Sequence, residues 1–264
     1  ALDFTMALDG KGFNFSPIRE GYSCLHNTNM RREQEHYARF LFMIAEYGNE
    51  IDFPGHLLIE PRINYPLKVQ YIHDVASAIY FLEHYGLAGD FKLNIDACHA
   101  RYYGRNFEHE IQFAADSNLL GSININGSKS DFCDNQKNFR INLHESINAM
   151  LVLLDYNGFQ NGGLHLDGSL QRNSTSIEDI FIAHINTIDA YARALIIADK
   201  VINDKEYQKL REERYITFDD GYGREFENGN LTIEDLRKIV LENGEPYTKS
   251  AKSEYIEQII NRYI

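Results

Sequence analysis

The chain has 264 residues and 44% hydrophobic content, enough to fill one large domain or two small ones. Its formal net charge of -13, from 26 Lys and Arg against 39 Asp and Glu with no basic block, excludes general nucleic-acid or anionic-membrane binding. Three cysteines, Cys24, Cys98 and Cys133, without metal-type spacing predict free thiols in a reducing compartment. No apolar run reaches the roughly 20 residues of a membrane span and no signal peptide is visible. The expectation is an intracellular protein of the cytoplasm or an organelle interior, neither secreted nor directly membrane-inserted.

Ala1 to Leu8 reads as the end of a helix, stopped by Asp9-Gly10-Lys11-Gly12, and Phe13 to Phe15 as a strand ending at Ser16. Apolar residues at helical spacing run from Thr28 to about Ile51, and Pro54-Gly55 precedes the strand His56 to Ile59, which delivers Glu60. Gln70 to Tyr85 is predicted helical, then Phe91 to Ile95 is a buried strand with Asp96 at its end and His99 three residues on. A carboxylate and an imidazole at the carboxyl end of a strand can converge on one divalent cation.

Asn106 to Asp116 is the next helix, and Leu119 to Ile123 the next strand, ending at Asn124. The polar stretch Ile125 to Asn138 carries Asp134 and Gln136 and is long for a loop without a role. Phe139 to Tyr156 resumes as helix, Gly162 to Leu166 as a strand presenting Asp167, and Ser176 opens a helix to about Ile202. His165 is read as out of phase with Asp167 and not as a ligand. No strand is evident after Asp204, only amphipathic stretches at Leu231 to Leu241 and Tyr255 to Ile264. The pattern predicts an α/β fold with a parallel sheet, open or closed as a barrel, over residues 1–203, and an arm on a partner subunit over 204–264. Four of the five strand ends, Glu60, Asp96, Asn124 and Asp167, offer an oxygen to a metal.

The segments Arg19-Glu20-Gly21-Tyr22, Leu58-Ile59-Glu60-Pro61, Lys92-Leu93-Asn94-Ile95 with His99-Ala100, Phe107-Glu108-His109-Glu110, Leu120-Gly121-Ser122-Ile123 and Gly162-Gly163-Leu164 resemble the xylose isomerases of the long class. The resemblance runs the length of the chain. It implies the last five strands of a TIM-type (β/α)₈ barrel, with Ala1 in the helix before the fourth strand, and a C-terminal helical arm. It also implies a first metal at the positions of Glu60, Asp96, Asn124 and Asp167, and a second at Asp96, His99, Asp134 and Gln136. The family's catalytic lysine corresponds to Arg62 and its sugar-facing tryptophan to Ser16.

Those positions depart from the family pattern. Asp96 is shortened from Glu, which withdraws the carboxylate by roughly 1.5 Å, Asn124 and Gln136 are amides, and Arg62 is a planar fork in place of a compact ammonium. The leading expectation is therefore a catalytically degenerate xylose isomerase-like protein with a structural or assembly role. It would hold at most one weak Mg²⁺ or Mn²⁺ and work as a homo-oligomer or with a complementing chain in a larger complex. The alternatives are a divalent-metal-dependent aldose–ketose isomerase (xylose to xylulose) completed by another chain, and a sugar- or metal-binding module.

Overall fold

The computed structural model describes residues 1–63, 69–102, 104–127, 139, 141–160, 162–170 and 172–264. They form two compact units, Ala1–Leu195 and Ile196–Ile264.

The first unit opens with helix α1 (Leu2–Ala7), strand β1 (Gly12–Phe15) and the two-residue strand β2 (Gly21–Tyr22). Helix α2 (Met30–Glu50) starts where the Asn29 side chain accepts the Arg32 amide at 3.2 Å, satisfying one of the open N–H groups of its first turn. Its buried residues Tyr37, Ala38, Leu41, Ala45 and Gly48 recur every three or four positions and make one apolar stripe. Strands β3 (His56–Ile59) and β4 (Val69–Gln70) follow, then α3 (Val75–His84), which begins at a reciprocal capping box between Asp74 and Ser77. That box explains why α3 starts at Val75 and not at Gln70: Gln70 is paired with Gly21 in the small antiparallel sheet of β2 and β4.

Next come β5 (Phe91–Asp96), α4 (Ala97–Tyr102), α5 (Phe107–Asp116), β6 (Leu120–Ile125), α6 (Leu143–Asp155), β7 (Leu164–Leu166) and α7 (Ile177–Ile202). The boundary between the two units falls inside α7. Strands β1, β3, β5, β6 and β7 form one parallel sheet in that order, a half-barrel with helices between its strands.

Strand alternation sorts the two faces of this sheet. On β5, Phe91, Leu93 and Ile95 are buried in the apolar core, together with Leu41, Phe81, Leu82, Phe107 and Ile111 of the flanking helices. Asn94 and Asp96 take the other face, which is concave and polar. The register slips between β5 and β6: Leu93 pairs with Leu120 but Asn94 with Ser122. Gly121 is skipped, and a Cβ there would press on Leu58 and on the Lys92 Cβ at 2.8 Å.

One expectation from composition needs correction. Cys98 is disulfide-bonded, whereas Cys24 is free and exposed, so free thiols are not the rule; Cys133 lies outside the described residues. Helix α7 has the length and composition of a membrane span, but the charges of Glu178, Asp179, Asp189 and Arg193 interrupt it, so it holds no uninterrupted apolar run of that length. In the second unit, α8 (Lys205–Tyr215) and α9 (Gly221–Glu227) precede the expected stretches, α10 (Ile233–Asn243) and α11 (Ser253–Tyr263). Arg262 on Glu206 and Tyr263 on Asp204 tie α11 to the start of α8.

Candidate metal centre

Asp96 ends β5 and starts α4, so its carboxylate faces the open amides of the helix's first turn. Its Oδ1 accepts from the Cys98 amide at 2.7 Å, the His99 amide at 3.1 Å and the Asn126 side chain at 3.2 Å. Three donors on one oxygen fix the rotation of the group and therefore the direction of its other oxygen. The same turn places His99, 3% exposed, with Nε2 at 3.4 Å from Glu60 Oε1. Glu60 is held at the end of β3, where its amide donates to the Phe15 carbonyl at 3.0 Å. Glu60, Asp96 and His99 each offer a ligand atom, all within 4.8 Å of one another, and they are the only such trio among the described residues.

The second oxygen of Glu60 is occupied. Its Oε2 accepts from the side-chain amides of Asn14 at 2.6 Å, Asn94 at 2.9 Å and Asn124 at 3.1 Å, each from a different strand. Asn124 thus enters the site as a hydrogen-bond donor to a carboxylate. Asn14 and Asn94 were not singled out by sequence reasoning, yet Asn94 stands two residues before Asp96 and so on the same face of β5.

Asp167 donates its amide to the Ile125 carbonyl at 3.1 Å and lines a cavity of about 520 Å³ on the concave face, but its carboxylate is not part of the trio. Asn14, Asn94, Ser122 and Asn124 line the same cavity. So does His165, which corrects its reading as out of phase: residues two apart on a strand share a face. Arg62 donates to the Ser16 hydroxyl at 2.9 Å, so the residues at the family's lysine and tryptophan positions meet each other. Asp134 and Gln136 lie outside the described residues.

Behind Asp96, Arg101 donates to both the carbonyl and the side-chain oxygen of Asn126 at 2.8 Å and pairs with Glu145 at 2.6 Å. Burial raises the Glu145 pKa above the ordinary carboxylate value, opposed by the Arg101 charge. Two carboxylates and one imidazole around a common point fit a single hard divalent cation such as Mg²⁺ or Mn²⁺.

A parallel half-barrel with acidic groups and an imidazole at the carboxyl ends of its strands defines the chain as a segment of a (β/α) barrel with a strand-end cluster of two carboxylates and an imidazole. Residues 211–264 match the family model described as the XylA2 C-terminal domain. Over 265 aligned residues the chain is 44% identical to "Xylose isomerase 1" of Xanthomonas campestris pv. campestris (strain 8004), covering 100% of this chain and 59% of that protein. Among solved structures it superposes on a D-tagatose 3-epimerase-like protein with a TM-score of 0.57 at 12% identity, covering 76% of this chain and 68% of the other. A xylose isomerase domain protein from Alicyclobacillus acidocaldarius subsp. acidocaldarius gives 0.57 at 14% identity, covering 73% and 68%. At those identities the likeness is one of fold. The chain belongs to the xylose isomerase family, and it spans about 59% of the length of the curated relatives it matches.

Proposed function

We propose that the chain is a xylose isomerase-like protein that holds one divalent cation beside a polyol-sized cleft, has lost aldose–ketose isomerisation, and serves in an assembly. The observation that carries this reading is the ligand count: Glu60, Asp96 and His99 converge, while Asn124 turns its amide onto Glu60. A divalent cation, when bound, polarises the hydroxyl and carbonyl oxygens it touches. Glu60 Oε1, Asp96 and His99 would hold it.

The chain's own groups support binding over turnover. Asn14, Ser122, Asn124 and Asp167 line the cavity and match the alternating donors and acceptors of a polyol. Arg62, permanently charged and engaged with Ser16, is a poor source of the mobile proton a lysine can supply. An assembly, as a homo-oligomer or with a complementing chain, is supported by the sheet's outer strands. Among the described residues β1 pairs only with β3 and β7 only with β6. In the second unit Tyr222, Phe226, Ile233, Leu241 and Tyr247 are exposed, which suits an arm on a partner subunit.

The test is conversion of xylose to xylulose by the purified native particle with saturating Mg²⁺ or Mn²⁺. No turnover above the protein-free control is expected. Sustained turnover would replace this reading with that of an isomerase completed by another chain.

A further inference from the structure

Glu60 Oε2 carries three amide donors at 2.6, 2.9 and 3.1 Å, although a carboxylate oxygen has only two lone pairs in its plane. A hard cation needs an unobstructed approach to about 2.1 Å from the oxygen. With three N–H groups already there, Oε2 is closed, and Glu60 can serve a cation only through Oε1, the oxygen facing His99. The three donors are not equivalent. Asn94 is 1% exposed and Asn124 is buried at 9%, each fixed inside the sheet, whereas Asn14 is exposed on the outer strand β1 and makes the shortest of the three bonds.

We infer that Asn14 is an affinity-limiting residue that competes with a divalent cation for the charge of Glu60: its amide stands in for positive charge at Oε2 and so weakens the carboxylate as a ligand through Oε1. The inference rests on the reading of Glu60, Asp96 and His99 as the cation ligands. Removing the Asn14 amide takes away the shortest of the three bonds and returns negative charge to the Glu60 carboxylate, so Oε1 attracts a cation more strongly. The sign is the reverse of what a structural role would give, since loss of a mere scaffold contact lowers affinity or leaves it unchanged.

Mn²⁺ titration of the full chain, read by loss of the free-ion electron paramagnetic resonance signal, tests this with Asn14→Ala and Asn14→Thr. The second variant suits an outer strand and is too short to reach Glu60. Both are expected to bind Mn²⁺ more tightly, by about tenfold if one charge-assisted hydrogen bond is the barrier, with unfolding midpoints close to that of the natural sequence. Equal or weaker binding in a folded variant overturns the inference. If the natural chain binds no Mn²⁺ but the variants do, the inference stands and the one-cation reading falls. If none of the three binds, both fall.

Discussion

Glu110 is 5% exposed and accepts the Val75 amide at 2.9 Å, joining the start of α3 to α5 behind the candidate centre. Burial raises its pKa above the ordinary 4.5; the Val75 amide opposes this, the Asp74 charge adds to it, and the His109 and Arg105 charges oppose it. For an acid raised on folding, the folded state keeps its proton at pH values where the unfolded chain has released it. Stability is therefore fullest below the unfolded pKa and declines as pH rises through the folded one. Glu110→Gln keeps an acceptor for Val75 and removes the titration. Relative to the natural chain, the variant is expected to gain stability between about pH 4.5 and 7, by roughly 1.4 kcal/mol for each unit of upward shift. Urea unfolding at the two pH values checks this; a constant offset would assign the pH dependence elsewhere.

Among the strands of the parallel sheet, β7 is the shortest and depends on a close approach of main chains. A Cβ on Gly162 would overlap the Gly121 carbonyl, so the chain can enter β7 beside β6 only with glycine there. Gly162→Ala is expected to push β7 off β6, losing the bonds from the Ile123 amide to Gly163 at 3.0 Å and from the Asp167 amide to Ile125 at 3.1 Å. A cost of about 3 kcal/mol or more in urea unfolding follows. Gly89→Ala, with nothing within 4 Å of its Cβ, is the control and should change stability by about 0.5 kcal/mol or less. A mild effect at Gly162 would contradict the packing.

The five parallel strands were legible because each is a short apolar run followed by a polar residue, with a glycine-marked helix end before the runs at Phe91 and Leu164. Strands β2 and β4 were not, since a two-residue ladder between segments far apart in the chain leaves no local periodicity. Helix α4 was hidden because Asp96 is both the end of a strand and the acceptor for the next helix's amides. Of the site, the acids and His99 could be read from strand ends. The amide cage could not, because it depends on three asparagines from different strands meeting one oxygen.

At the scale of the molecule, the first unit exposes Phe181, Ile185 and Ile188 on α7 as well as the outer strands β1 and β7. Apolar side chains and strand edges of this kind are surfaces that folded proteins cover. An assembly that closes the concave face would also shield the cavity lined by Asn14, Ser122, Asn124 and Asp167 from water. Native mass spectrometry of the intact particle equilibrated with Mn²⁺ reads chains and ions together. The expected result is a particle of more than one polypeptide with one Mn²⁺ for each copy of this chain. A lone chain of 30.5 kDa, or two ions per copy, would contradict it.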